Sequence, residues 1–323
     1  MSARTNRGNQ HEQYEFINGN LPVGFKELYE LSLYNTLAHR ELQSRDNWHS
    51  YHIIRRDKKN AIASIHFCVK KGVAHSPYAA PFGFFELWSE TPASLLFDFI
   101  AYYESELRNL CTKRIVIKSY PESYHTHSHN LISVLFFNHH YIISNAELGA
   151  SLSIDKDLFT DRIDPWEKRK LKQALKAKLR FEVIPNRNIK KVYQFIRACR
   201  NERGYAISMS LTQLVKTIQK LDRYFHCFGV YDEDQLIAAS ICVRESKNNL
   251  YNFYSAHGKE SDSLSPIVFL ISELYTWCQH NRIKLLDLGT SALGGIPNFS
   301  LIDFKLRLGA SPTMKLTFEK ELK

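Results

Sequence analysis

The sequence predicts an α/β (α+β) protein built as two tandem domains, each a mixed β-sheet flanked by helices. Three observations predict it. The chain has 323 residues, more than the ~100–200 of one ordinary domain. Runs with the two-residue period of strands interleave with stripes at the helical period. The order of elements also recurs: long helices begin near 94 and 265, buried strands near 114 and 285, and last helices near 128 and 299, each pair 171 residues apart.

In the first half a helix is expected over 24–43. Alternation over 51–56 and 61–70 predicts two strands, with a short third over 82–88. Residues 94–110 read as a helix because Leu95, Leu96, Phe99, Ile100 and Tyr103 share one stripe. A β-branched strand over 114–118, a helix over 128–138 and a strand over 141–154 follow. Helices are expected at 166–178, 189–200 and 211–221. The second half then gives strands over 224–231, 235–244 and 250–257, and a helix over 265–281 with Ser265 as N-cap and Pro266 at the first helical position. A buried strand over 284–288, a helix over 299–308 stopped by Gly309 and a final strand over 313–319 complete it. The expected organisation is a polar tail over 1–23, a first domain over 24–157, and a second over 158–323 that includes a helical connector over 163–222.

Apolar residues are 44% and charged residues 24% of the chain, which excludes a disordered chain, a collagen or a coiled-coil rod. Glycine is 13 of 323, about 4% against an average near ~7%, so glycine phosphate loops are not expected. The basic start has no apolar run behind it and does not read as a signal peptide. No apolar stretch reaches the ~20 residues that span a bilayer. Six widely spaced cysteines without a CxxC pair fit reduced thiols in a cytoplasmic protein. Net charge is +10, and residues 166–191 hold ten Lys and Arg against Glu167 and Glu182, a local +8. Such a patch is a candidate site for tRNA, another phosphate-bearing ligand or a membrane surface.

The run LLDLGTSALGGIPNFSLIDFKLRLGASPTMKLTFEK over 285–320 carries a family resemblance. A buried strand, Asp-x-Gly, a Gly/Asn loop, a helix with Phe-Lys and a closing strand resemble the GNAT acyltransferases. The doubled element order over roughly 45–323 is similar to the tandem Fem-type aminoacyltransferases. The resemblance implies transfer of an acyl or aminoacyl group from an activated donor to an amine. It implies no tightly bound cofactor, with acyl-CoA or aminoacyl-tRNA as co-substrate and a small-molecule or peptide amine as acceptor. The family's pyrophosphate loop before the long helix corresponds to GKESDSLSP here, which has the single glycine Gly258 and the acids Glu260 and Asp262. Fem-type members also lack that glycine loop. The alternative is a non-catalytic nucleic-acid- or partner-binding protein on a degenerate GNAT scaffold.

The resemblance gives Lys305, beside Phe304, a place near the acyl group; otherwise it is a solvated helix lysine. His257 ends a strand and is a candidate base, with an exposed turn histidine as the alternative. Asp287 lies among leucines and either orients a catalytic group or caps backbone N–H groups. Tyr251, Gly258, Ser265, Gly289, Thr290, Ser291, Asn298 and Phe304 are the candidate donor-binding residues, set around strand ends where such sheets bind ligands. Gly294 and Gly295 permit positive φ. In the first half SPYAAPFGFFE over 76–86 reads as a stiff recognition wall, with Ser76, Tyr78, Phe82, Gly83 and Tyr124 facing the acceptor together with Arg203. His125, His127 and His129 read as surface histidines, and no metal is expected.

Overall fold

The computed structural model describes residues 13–293 and 295–322. Residues 1–12 of the expected tail, the positive φ expected of Gly294, and Lys323 lie outside the described residues. The chain runs β1 (Glu15–Asn18), β2 (Lys26–Glu27), α1 (Leu37–Gln43), β3 (Trp48–Arg55), β4 (Asn60–Lys70), β5 (Val73–Ser76), β6 (Glu86–Leu87), α2 (Ala93–Asn109), β7 (Arg114–Lys118), α3 (Thr126–Asn138) and β8 (Ile142–Ser153). It continues with α4 (Phe159–Arg162), α5 (Pro165–Lys176), β9 (Arg180–Ile184), α6 (Ile189–Glu202), α7 (Leu211–Leu221), β10 (Phe225–Asp232), β11 (Gln235–Arg244) and β12 (Asn249–His257). It ends with α8 (Pro266–His280), β13 (Leu285–Thr290), β14 (Ala292–Leu293), β15 (Ile296–Pro297), α9 (Phe299–Arg307) and β16 (Ser311–Glu321).

Contacts divide the chain into two units, and a cut at 157 does not describe them. One unit joins Met1–Ala146 to Lys315–Lys323; the other is Glu147–Met314. The first has strand order β1-β3-β4-β5-β7-β16 and the second β8-β13-β12-β11-β10-β9. Along the main path both have the same plan: an antiparallel meander leads into a parallel pair, β5 with β7 and β12 with β13; in the first unit β2 also pairs in parallel with β4. Each is then closed by an antiparallel strand from the other half of the sequence. β16 pairs with β7 from Thr317↔Lys118 to Glu321↔Arg114, and β8 pairs with β13 from Leu285↔Ser153 to Thr290↔Gly149. Expectation had each half closed by its own last strand. Both are strands as expected, but β7 and β13 are similar aliphatic edges, and local pattern does not say which partner covers which edge.

Several elements differ from expectation for physical reasons. In residues 24–43 the α-helix is confined to α1, preceded by β2 and a 3-10 turn at Leu33–Asn35. Lys26 and Glu27 give their backbone to β4, and the Thr36 side chain caps the helix by accepting from the His39 N–H. β1 takes up part of the expected tail by pairing with β3, and β9 lies inside the expected helical connector, paired with β10. Ser265 is the N-cap residue of α8 by position, but it is left-handed with φ +54° and its side chain makes no capping bond. Gly309 ends α9 with φ +80°, as the sequence predicts.

In the first unit the segment after β5 turns inward. The Gly83 N–H donates to the Lys118 carbonyl at 3.0 Å, one residue beyond the last β5–β7 pair, Ser76↔Ile117. The chain itself therefore fills the gap where the parallel strands part. Phe82 is 2% exposed and packs edge-on against Tyr34 and Tyr124, with ring centroids 4.8 and 5.4 Å away. The expected recognition wall is thus corrected: Ser76, Phe82 and Tyr124 are buried, Gly83 lies within the packing, and Tyr78 alone of the five is exposed. Prolines 77 and 81 bracket a plug whose aromatic side chains fill the space between diverging strands. His129 is corrected too. It is buried, 3.2 Å from the Ser119 Oγ and stacked on Phe84. A Cβ at Gly83 would lie 2.8 Å from the Pro77 nitrogen and the Ser76 carbonyl carbon. Gly83→Ala is expected to destabilise the first unit by about 1–3 kcal/mol through overpacking, read as a lower denaturant midpoint at unchanged slope.

Candidate functional site

In the second unit the corresponding gap is open. β12 and β13 pair in parallel at Asn249↔Leu285, Leu250↔Leu286 and Tyr251↔Asp287, and no further. β12 then continues to His257 along β11, while β13 breaks register against β8 between Asp287 and Thr290. Gly289 sits at that break with φ +75°, a conformation that glycine adopts without strain. Asp287 holds the break in shape, its Oδ1 accepting the Gly289 N–H at 2.7 Å. A cavity of 550 Å³ opens between the diverging strands, and all its described lining residues belong to this unit.

Lys305 is 6% exposed, so it is not a solvated helix lysine. It reaches back from α9, and its Nζ donates to the carbonyls of Gly289 at 2.7 Å and Thr290 at 3.1 Å. An ammonium has three protons, so two bonds to the strand end leave one for the cavity it lines. Burial lowers its pKa to about 8, opposed by the charge of Asp287. Asn298 caps α9 by accepting the Leu301 N–H at 3.1 Å, which fixes the helix that carries Lys305.

The far wall is built around Arg203. Its Nη1 donates to the His257 carbonyl at 2.6 Å, and its Nη2 lies 3.1 Å from His257 Nε2 and 3.0 Å from Asp262 Oδ1. His257 Nε2 is also 2.7 Å from Asp262 Oδ1. One nitrogen cannot accept from Arg203 and donate to Asp262 at once, so whether Nε2 itself carries a proton, which in the neutral ring is a matter of tautomer, decides which bond forms. Burial, and then Arg203, lower the His257 pKa, while Asp262 opposes them; the ring is therefore held toward its neutral form. Arg203 pairs with Asp262, which by itself would repel a phosphate. Behind this wall Tyr254 OH lies 2.6 Å from Ser208 Oγ and accepts the Met209 N–H at 3.0 Å, docking the loop that follows α6. Arg200 stands over the Tyr254 and Tyr205 rings.

Several proposed residues therefore line one cavity: Tyr251, Arg203, His257, Ser265, Gly289, Thr290, Asn298, Phe304 and Lys305. Asp287, Gly258 and Ser291 do not. Asp287 and Ser291 are buried behind it, and Asp287 acts through the backbone of Gly289. Arg203, placed with the acceptor residues by sequence, belongs to this second-unit cavity. Lys170, Arg200, Tyr205 and Tyr254 also line it and were not singled out as site residues. Lys170 was hidden in a run of like charges. Its position, with Nζ 6.0 Å from the Phe304 ring centroid, depends on α5 packing beside α9, where Arg307 Nε donates to the buried Glu167 at 3.0 Å. The described lining cations are Lys170, Arg200, Arg203 and Lys305, against Asp262 as the lining acid, and the first turn of α8 adds its positive dipole end. Such a cavity suits a ligand that carries both phosphate and a planar group.

No protein-family model matches the chain, and no curated protein matches it in sequence. Solved structures do. FemX superposes with a TM-score of 0.67 at 11% identity, covering 91% of this chain and 93% of its own. L-PGS from Bacillus licheniformis gives 0.53 at 10% identity, covering 83% of each chain. At these identities the likeness is one of fold: the chain shares the fold of FemX and of L-PGS over most of its length.

Proposed function

We propose that the protein is an N-acyltransferase whose second unit holds an activated acyl or aminoacyl donor in the cavity between β12 and β13. The observation that carries this reading is the buried Lys305 ammonium, fixed across the end of β13 in a cavity whose described lining also holds Lys170, Arg200 and Arg203, aromatic rings and aliphatic side chains. Past Tyr251 the β12–β13 ladder stops among the described residues, and an extended donor arm can add to the freed edge of β12 by backbone hydrogen bonds. Lys170, Arg200 and Arg203 offer charge to the donor's phosphates. An acceptor amine then attacks the carbonyl carbon as a new C–N bond forms. The oxygen takes up negative charge beside the Lys305 Nζ, and the C–S or C–O bond to the leaving group breaks as the tetrahedral state collapses. His257 is the candidate acceptor of the amine proton, and its lowered pKa keeps it able to accept one at neutral pH.

Two donor chemistries share this cavity, a CoA thioester and an aminoacyl ester on a nucleic acid 3′ end. A panel of acyl-CoAs and aminoacyl-tRNAs incubated with purified protein and amine acceptors, followed by mass spectrometry of the products, separates them. Formation of an amide product from one class supports the reading; folded protein that transfers from neither class contradicts it. The pH profile is a further test. The charged form of Lys305 stabilises the developing oxyanion, so the rate of the chemical step is expected to fall as pH rises through about 8. A rate that keeps rising to pH 10 removes Lys305 from that role.

A further inference from the structure

The exposed surface beside the cavity carries a second property. On α5, the side chains of Lys172 and Lys176 are exposed on the outer face, and Arg169 stacks on Trp166 with its guanidinium carbon 4.9 Å from the ring centroid. Trp166 is nevertheless 55% exposed, and Leu175 on the same helix is exposed as well. Leu171 and Ala174 face inward and are buried, and Leu175 is not. Large apolar side chains are also exposed at the start of α9 and just before it: Ile296 is 72% and Phe299 69% exposed. The two elements meet at the cavity, since Lys170 lies 5.9 Å from the Trp166 ring and 6.0 Å from the Phe304 ring of α9, and Lys170, Leu301 and Phe304 all line it.

We infer that this face docks on an anionic lipid bilayer, with Lys172, Lys176 and Arg169 at the headgroups and Trp166, Ile296 and Phe299 entering the interface. Cations alone would suit any polyanion. Exposed Ile, Leu and Phe on the two elements that meet at the cavity gain nothing from a phosphate backbone, whereas a bilayer interface takes up apolar side chains and attracts Lys and Arg together. Tryptophan has the amphipathic ring that prefers that depth. Docked in this way, the rim of the cavity would face the lipid surface. The inference rests on exposure and charge and stands apart from the transfer reaction.

Vesicle co-sedimentation tests it, with phosphatidylglycerol-containing vesicles against pure phosphatidylcholine vesicles and with tryptophan emission recorded in parallel. The full-length protein is expected to bind the anionic vesicles, to shift its emission to the blue, and to lose binding as salt rises. Lys172→Glu with Lys176→Glu is expected to weaken binding at least about tenfold. Trp166→Ala with Phe299→Ala is expected to weaken it about tenfold while leaving the salt dependence in place. Circular dichroism and the melting temperature check that both pairs fold. No binding to anionic vesicles overturns the inference. So does binding that the Trp166/Phe299 pair leaves unchanged, or tighter binding to RNA than to vesicles at the same salt.

Discussion

Replacing Lys305 by methionine is expected to slow acyl transfer by about 10²–10³-fold, the loss that follows removal of one preorganised oxyanion donor, with little change in fold stability. The two halves of this expectation have separate causes. Methionine keeps the length and volume of the side chain but removes the charge. The part-buried carbonyls of Gly289 and Thr290 lose their Nζ donor; a fully buried acceptor left unpaired costs about 1–3 kcal/mol, and these two, on the cavity wall, lose less. Against this stands the cost of burying the ammonium, which lowers its pKa from the ordinary 10.5 to about 8. That cost is present in full below pH 8 and fades toward pH 10.5, because the unfolded chain then loses its proton as well. At neutral pH the two effects oppose each other in the variant. Single-turnover kinetics and thermal melts check both halves. Unchanged turnover in a folded variant would leave Lys305 a structural strut for the end of β13.

Ending the chain at Met314 is expected to unfold the first unit and leave the second standing. The deletion removes the part of β16 that pairs with β7. Phe318 goes with it, a fully buried ring packed against Phe136 and Phe84 at 5.0 and 6.3 Å; truncating such a ring to alanine alone costs about 3–5 kcal/mol. Lys320 is lost too, and its Nζ donates to the buried Glu104 at 2.6 Å. Breaking a buried pair by removing one partner costs about 3–5 kcal/mol. Together these match the whole stability of many domains. Hydrogen exchange read by mass spectrometry should show residues before 146 exchanging freely while α8 and β11 stay protected. Protection throughout the first unit would contradict the exchange of closing strands.

The sequence made the repeated plan legible because its signals are local. The stripe of α2, the aliphatic run of β13 and the Gly309 stop are each set by neighbours within a turn or two. The partners of β8 and β16 were not legible, since an edge strand's pattern records a buried face and not the strand beside it. The inward turn at 77–85 was missed for a related reason: prolines and a glycine mark a stiff turn, but whether Phe82 points into a core depends on the gap that β5 and β7 leave. At the candidate site the strand-end residues around Gly289 were legible, because Asp-x-Gly after an aliphatic run marks where a chain must turn. Arg203 was visible as a residue and was placed with the wrong partners. Only the fold brings the end of α6 against His257 and Asp262, and only helix packing turns Lys170 toward Phe304.

The most direct test of the account is a crystal structure with non-transferable donor analogues, an amide- or ether-linked acyl-CoA and an aminoacyl-adenosine in separate experiments. The account predicts one of them in the cavity between β12 and β13, with its carbonyl oxygen within hydrogen-bonding reach of the Lys305 Nζ and its phosphates or ribose on the Arg203 side. An analogue bound away from that cavity, or saturating analogues of both classes that leave it unfilled, would contradict the account.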